Sequence, residues 1–103
     1  HPTQPWLLIG GERTVQVWDA DSQGLRYETQ PLPKTVMGLG WHPQLPNQFA
    51  VISGDTLIRY DMTKALPTRQ FTWGSLLFDL YWSPDGQVLA TATHDQGLHV
   101  WYA

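Results

Sequence analysis

Two landmarks in this chain recur at one spacing, and that spacing limits the fold more than any other feature. The segments TVQVWD, TLIRYD and GLHVWY place Trp18, Tyr60 and Trp101 at intervals of 42 and 41 positions. Independently, LGWHP and LYWSP place Trp41 and Trp82 41 positions apart. A fixed period of this length marks an architecture in which one supersecondary unit is copied and stacked. With 103 residues, rather more than two periods fit.

The unit reads as a meander of short strands. LYWSPDGQVLATATHDQGLHVWY gives a strand, an SPDG turn, a strand over Val88 to Thr93, a turn at HDQ and a strand over Gly97 to Tyr102. In PDG the proline fixes φ, the aspartate supplies an acceptor and the glycine accepts positive φ, which suits a tight hairpin. LGWHPQLPNQFAVISGDTLIRYD follows the same order with a longer first turn and a shorter second one. WLLIGGERTVQVWD matches only the later part, and LRYET and TRQFT read as fourth, outer strands. Eight prolines and nine glycines interrupt the chain too often for long helices. Side chains alternate along a strand, so Leu98 and Val100 point to one face and His99 and Trp101 to the other, with Ile58 and Tyr60 repeating the second face. A sheet with bulk on both faces must be covered on both, here by copies of itself.

Composition removes several function classes. The apolar fraction of 42% is ordinary for a globular core. Six basic against nine acidic residues, a net charge of −3, argue against a general phosphate-neutralising surface. The absence of cysteine excludes disulfides, zinc–thiolate sites and thiol catalysis while leaving the compartment open. No apolar run is long enough to span a membrane as a helix. The chain begins at His1 without a basic-then-apolar leader and reads as a processed, trimmed or excised segment. Asn47, in NQF, forms no glycosylation acceptor.

Over nearly its whole length the chain resembles WD40 repeats, the four-stranded blades of a β-propeller. The stretch WSPDGQVLATATHDQGLHVW, Trp82 to Trp101, is similar to that family position by position, with Thr91 and Thr93 at its small hydroxyl positions and Asp95 in the turn between strands b and c. Tyr60–Asp61 and Trp18–Asp19 correspond to its closing dipeptide, and Trp41 and Trp82 end strand a. The family usually places a Gly-His pair ahead of strand a, its His joined in a network with the strand-b hydroxyl, the turn Asp and the strand-c Trp. Here Leu32 and Trp73 fall at that His position, so Thr91, Asp95 and Trp101 need another partner.

The resemblance implies an all-β fold of consecutive antiparallel blades: residues 1–31 carrying strands b, c and d, residues 32–72 carrying all four, and residues 73–103 carrying a, b and c. Propellers close with 4–8 blades, so this ring is expected to be incomplete, cut from a longer propeller whose remaining blades would be its neighbours.

Few residues suggest chemistry of their own. DADSQG, Asp19 to Gly24, starts like an EF-hand loop but has Gln23 at the fifth position, Gln30 where the closing Glu belongs, and strands on both sides; it reads as a corner between strands c and d. His94, Asp95 and His99 are the densest set of metal-ligand types, yet their spacing across a turn and a strand favours packing, and His42 before Pro43 reads as a turn residue. Ser83 beside Pro84 is a turn hydroxyl, and no nucleophile motif, phosphate-binding glycine loop or carboxylate pair is present. No metal, cofactor or catalytic residue is expected. Arg13, Arg26, Lys34, Arg59, Lys64 and Arg69 are scattered, and Trp6, Trp18, Trp73 and Trp101 are expected in the cores between blades.

In the family, residues beside the first apolar position of strand a face the rim where partner peptides bind. Carried over by count, these are Thr35 and Met37 around Val36, and Leu76 and Phe78 around Leu77. The resemblance thus implies a non-catalytic scaffold, cytoplasmic or nuclear, that binds other proteins within a larger complex. An RNA-binding segment of a ribonucleoprotein and a regulatory module attached to an enzyme are the alternatives.

Overall fold

The structure, a computed structural model, describes residues 1–93 and 97–102, with the side chains of His99 and Tyr102 outside the description. Ten strands follow one another: β1 (Trp6–Gly10), β2 (Val15–Asp19), β3 (Gly24–Glu28), β4 (Val36–Trp41), β5 (Gln48–Ser53), β6 (Thr56–Asp61), β7 (Arg69–Thr72), β8 (Leu77–Trp82), β9 (Val88–Thr93) and β10 (Leu98–Tyr102). They form three antiparallel sheets, in the orders β1-β2-β3, β4-β5-β6-β7 and β10-β9-β8. No helix occurs among the described residues, and the sheets stack without closing into a ring.

Side-chain alternation on β5 and β6 explains the stacking. Phe49, Val51, Ile58 and Tyr60 join Trp6, Val15, Val17 and Leu32 in one core against the first sheet. The interleaved Ala50, Ile52 and Leu57 join Leu77 and Leu89 in a second core against the third sheet. The central strands β5 and β6 of the middle sheet are therefore buried on both faces, and each fully buried side chain of this size contributes about 1.5–3 kcal/mol. Aromatic contacts order the first core: Phe49 stacks on Tyr60 with centroids 5.2 Å apart and meets Trp41 edge-on at 5.7 Å. In the second, Trp101 packs against Phe71 at 5.2 Å.

The second and third sheets approach closely over a glycine. A Cβ on Gly40 would stand 3.3 Å from both Leu80 Cδ2 and Trp82 Cδ1, and the bare backbone lets Trp82 Nε1 donate to Gly40 O at 3.1 Å. Trp82 thus tethers β8 to β4, and with it the two strands that carry the candidate site.

Candidate functional site

Strands β4 and β8 each contain a bulge at the same place. Val36 pairs with Ser53 and Gly38 with Ile52, which makes Met37 the extra residue of β4. Leu77 pairs with Thr93 and Asp79 with Ala92, which makes Phe78 the extra residue of β8. A bulge re-aims a side chain without ending the strand. Val36 and Leu77 turn inward, Leu77 to full burial, whereas Met37 is 43% and Phe78 37% exposed. The two bulges adjoin, since a Cβ on Gly38 would lie 3.5 Å from Phe78 O. Exposed Thr35 and Leu76 precede them, so all four residues predicted to form the rim lie at the starts of neighbouring strands.

Hydrogen bonds repeated from sheet to sheet hold this edge in place. Val36 N donates to Glu12 O at 3.0 Å and Leu77 N to Gly54 O at 2.9 Å, each joining the first residue of a strand to a turn of the preceding sheet. One step earlier, Leu32 N donates to Arg13 O at 2.7 Å and Trp73 N to Asp55 O at 2.9 Å. Ser53 Oγ accepts from Lys34 N at 3.0 Å and donates to Lys34 O at 2.7 Å, while Lys34 Nζ pairs with Asp55 at 3.2 Å. The hydrogen bond from Lys34 is the main reason that the Asp55 carboxyl lies below its usual range.

The repeat residues occupy the sheets as follows. Trp101 Nε1 donates to the buried Thr91 Oγ1 at 2.9 Å, and Trp73 stands edge-on to Trp101 at 6.2 Å. Leu32 is buried in the first core. A tryptophan and a leucine thus stand at the positions where the family resemblance puts a hydrogen-bonding His. Asp95 lies outside the described residues, as do His94 and the side chain of His99. Asp61 Oδ1 accepts from Thr63 N and Thr63 Oγ1 at 2.9 and 2.7 Å, which lowers its pKa, and Asp19 Oδ1 accepts from Asp21 N and Ser22 N at 2.9 and 3.3 Å in the DADSQG corner. Burial pushes the Tyr60 hydroxyl up to about 12. Of the tryptophans expected in cores, Trp6 and Trp101 pack there, Trp73 is partly exposed and Trp18 lies on the outer face of the first sheet, opposite Leu7 and Leu25.

Four of the six scattered cations have local roles. Arg13 Nε donates to Leu32 O at 2.8 Å, Arg26 lies over Trp6 and 3.8 Å from Asp19, Lys34 holds Asp55, and Arg69 covers Phe71. Arg59 is different, being buried between the second and third sheets against Trp82. His42, expected as a plain turn residue, is buried there too. The sequence signal for Arg59 was its register: VQVWD, LIRYD and LHVWY align it with Val17 and Val100, a charge in an apolar column.

Comparison with known proteins agrees with this geometry. The profile of the family described as "WD domain, G-beta repeat" matches residues 68–102. Coronin-7 of Homo sapiens is 32% identical over 106 aligned positions covering 92% of this chain, and Coronin-7 of Pongo abelii is 31% identical over the same share. The chain spans 11% of the length of these relatives. Among solved structures, the β-propeller domain of Myceliophteria thermophila Cps50 (Swd1) superposes with a TM-score of 0.86 at 16% identity, over 97% of this chain and 32% of that one.

Proposed function

We propose that this chain, which belongs to the WD40-repeat family of β-propellers, binds another protein through the rim formed by Thr35, Met37, Leu76 and Phe78, as part of a larger assembly. WD40 propellers generally mediate protein–protein interaction and are typically non-catalytic. The observation that carries the reading is the pair of adjoining bulges, which present Met37 and Phe78 outward while the residues before them, Val36 and Leu77, turn into the cores. Two large apolar side chains on a backbone already fixed by repeated hydrogen bonds make a preorganised contact, so little ordering is required when a partner docks.

The test is quantitative affinity capture from cells with the intact protein and its Met37→Glu and Phe78→Glu variants, followed by mass spectrometry. Each substitution places a charge in the contact and is expected to lower recovery of specific partners by about tenfold or more. Circular dichroism and melting should remain close to the unsubstituted protein. Loss of folding would instead make Met37 and Phe78 core residues, and undiminished capture by both folded variants would remove the rim from the interface.

A further inference from the structure

At the opposite end of β4 and β8 from the rim, the turns 42–47 and 83–87 enclose a cleft of about 420 Å³ with Arg59 in its wall. Arg59 is only 9% exposed, on the central strand β6. Its guanidinium lies over the Trp82 ring at 5.2 Å, and Nη2 donates to Gln48 Oε1. Nε is buried and has no hydrogen-bond partner, and no carboxylate stands within ion-pair distance of this cation among the described residues.

An unpaired buried charge is among the most costly groups a fold can carry, and an orphaned donor beside it adds to the cost. Desolvation, followed by repulsion from Arg69, depresses the Arg59 pKa, so its surroundings oppose the cation they contain. The aligned positions are filled by Val17 and Val100, so the blade geometry itself makes no demand for arginine.

The two other titratable groups of the cleft, His42 and Asp85, already hold hydrogen bonds of their own. His42 Nδ1 accepts from Gln44 N and Leu45 N, each at 3.0 Å, which leaves the ring neutral and gives it no spare acceptor. Asp85 lines the cleft, but its carboxylate accepts from Ser83 Oγ at 2.6 Å and Gln87 N at 3.1 Å. Arg59 is therefore the group still needing a partner, and that partner must be an anion. The fixed negative charge of Asp85 disfavours a dianion, while the planar guanidinium fork suits a carboxylate.

We propose that the cleft between the 42–47 and 83–87 turns is a binding site for a single carboxylate group, with Arg59 as its counter-ion. The site is independent of the rim, since it lies at the far ends of the same strands and uses none of the rim residues.

The test is the melting temperature of the intact protein in sodium acetate, sodium phosphate and sodium chloride at matched ionic strength. N-acetyl-glutamate N-methylamide, and its glutamine counterpart, separate a protein side chain from a small free acid. A ligand that binds only the folded state stabilises it in proportion to ln(1 + [L]/Kd). Acetate is expected to raise the melting temperature saturably above chloride, phosphate to do so less, and the glutamate probe but not the glutamine probe to match acetate where the natural source is a peptide. A response to acetate alone would assign the site to small acids.

Arg59→Val should melt at or above the unsubstituted protein in chloride and lose the acetate increment. Arg59→Lys, which keeps the charge without the fork, covers the case in which the valine variant fails to fold and should retain less than half of the increment. Equal increments in all three proteins would identify an adventitious ion effect and overturn the proposal. An increment that appears only in Asp85→Asn would also overturn it, by showing that Asp85 is the internal partner of Arg59.

Discussion

His42 follows β4 with its ring against Trp82, centroids 4.6 Å apart, and its Nδ1 holds two consecutive backbone amides. Replacing it with alanine removes the acceptor for both and is expected to cost about 1–3 kcal/mol of stability. Burial, and secondarily the charge of Arg59, lower the His42 pKa, against the opposing effect of a backbone hydrogen bond at Gly86. A depressed folded-state pKa means that the unfolded chain binds the proton more readily, so the contribution is complete above about pH 6.5 and is lost as pH falls through the folded value. Urea denaturation of the unsubstituted protein should accordingly show stability falling with acidification across that window, with a shallower slope in His42→Ala. Identical slopes would mean that His42 titrates alike in both states. The roles of His42 and Arg59 depend on the meeting of two turns and a strand from different sheets, which no local pattern in HPQLPN or TLIRYD records. Thr91 and Trp101 were easier to read, because their hydrogen bond lies within one hairpin whose register the alternation fixes.

At the scale of elements, the hairpin turns were legible for the same reason. SPDG places Gly86 at φ +72°, where a residue without a side chain is least strained, and its bare face also receives the His42 ring. A Cβ on Gly86 would overlap that ring, so Gly86→Ala should destabilise by about 2–4 kcal/mol through the combined clash and backbone strain. Gly74, at φ +100° with open space where its Cβ would stand, isolates the backbone part: Gly74→Ala should cost only about 1–2 kcal/mol. Denaturant midpoints measured with unchanged m-values would check the ordering, and equal losses at the two sites would contradict the contact with His42. The bulges at Met37 and Phe78 were not legible. VMGLGW and LFDLYW give no sign of an extra residue, because a bulge is defined by the pairing partner; counting from the family pattern named the positions without supplying the reason for their exposure.

At the scale of the whole molecule, the middle sheet defines what a covered blade looks like, and the two end sheets fall short of it. On the first, Leu7, Trp18 and Leu25 form a cross-strand row on the face away from the core, with Leu7 54% and Leu25 48% exposed. On the third, Tyr81, Ala90 and Val100 form another, with Tyr81 and Val100 exposed beside Leu98. These rows resemble in kind the faces that β5 and β6 bury, and large contiguous apolar patches favour association. The 103-residue chain on its own is therefore expected to self-associate at micromolar concentrations, seen as concentration-dependent sedimentation and a broad, weakly cooperative calorimetric transition. Leu98→Lys with Val100→Lys should suppress that association by placing charge on one end face while leaving both cores intact. In a protein where a further blade covers this face, the same pair should destabilise instead, because the charges would be buried without partners. A monodisperse segment that melts cooperatively would show that two cores and three sheets suffice, and that the exposed rows tolerate water.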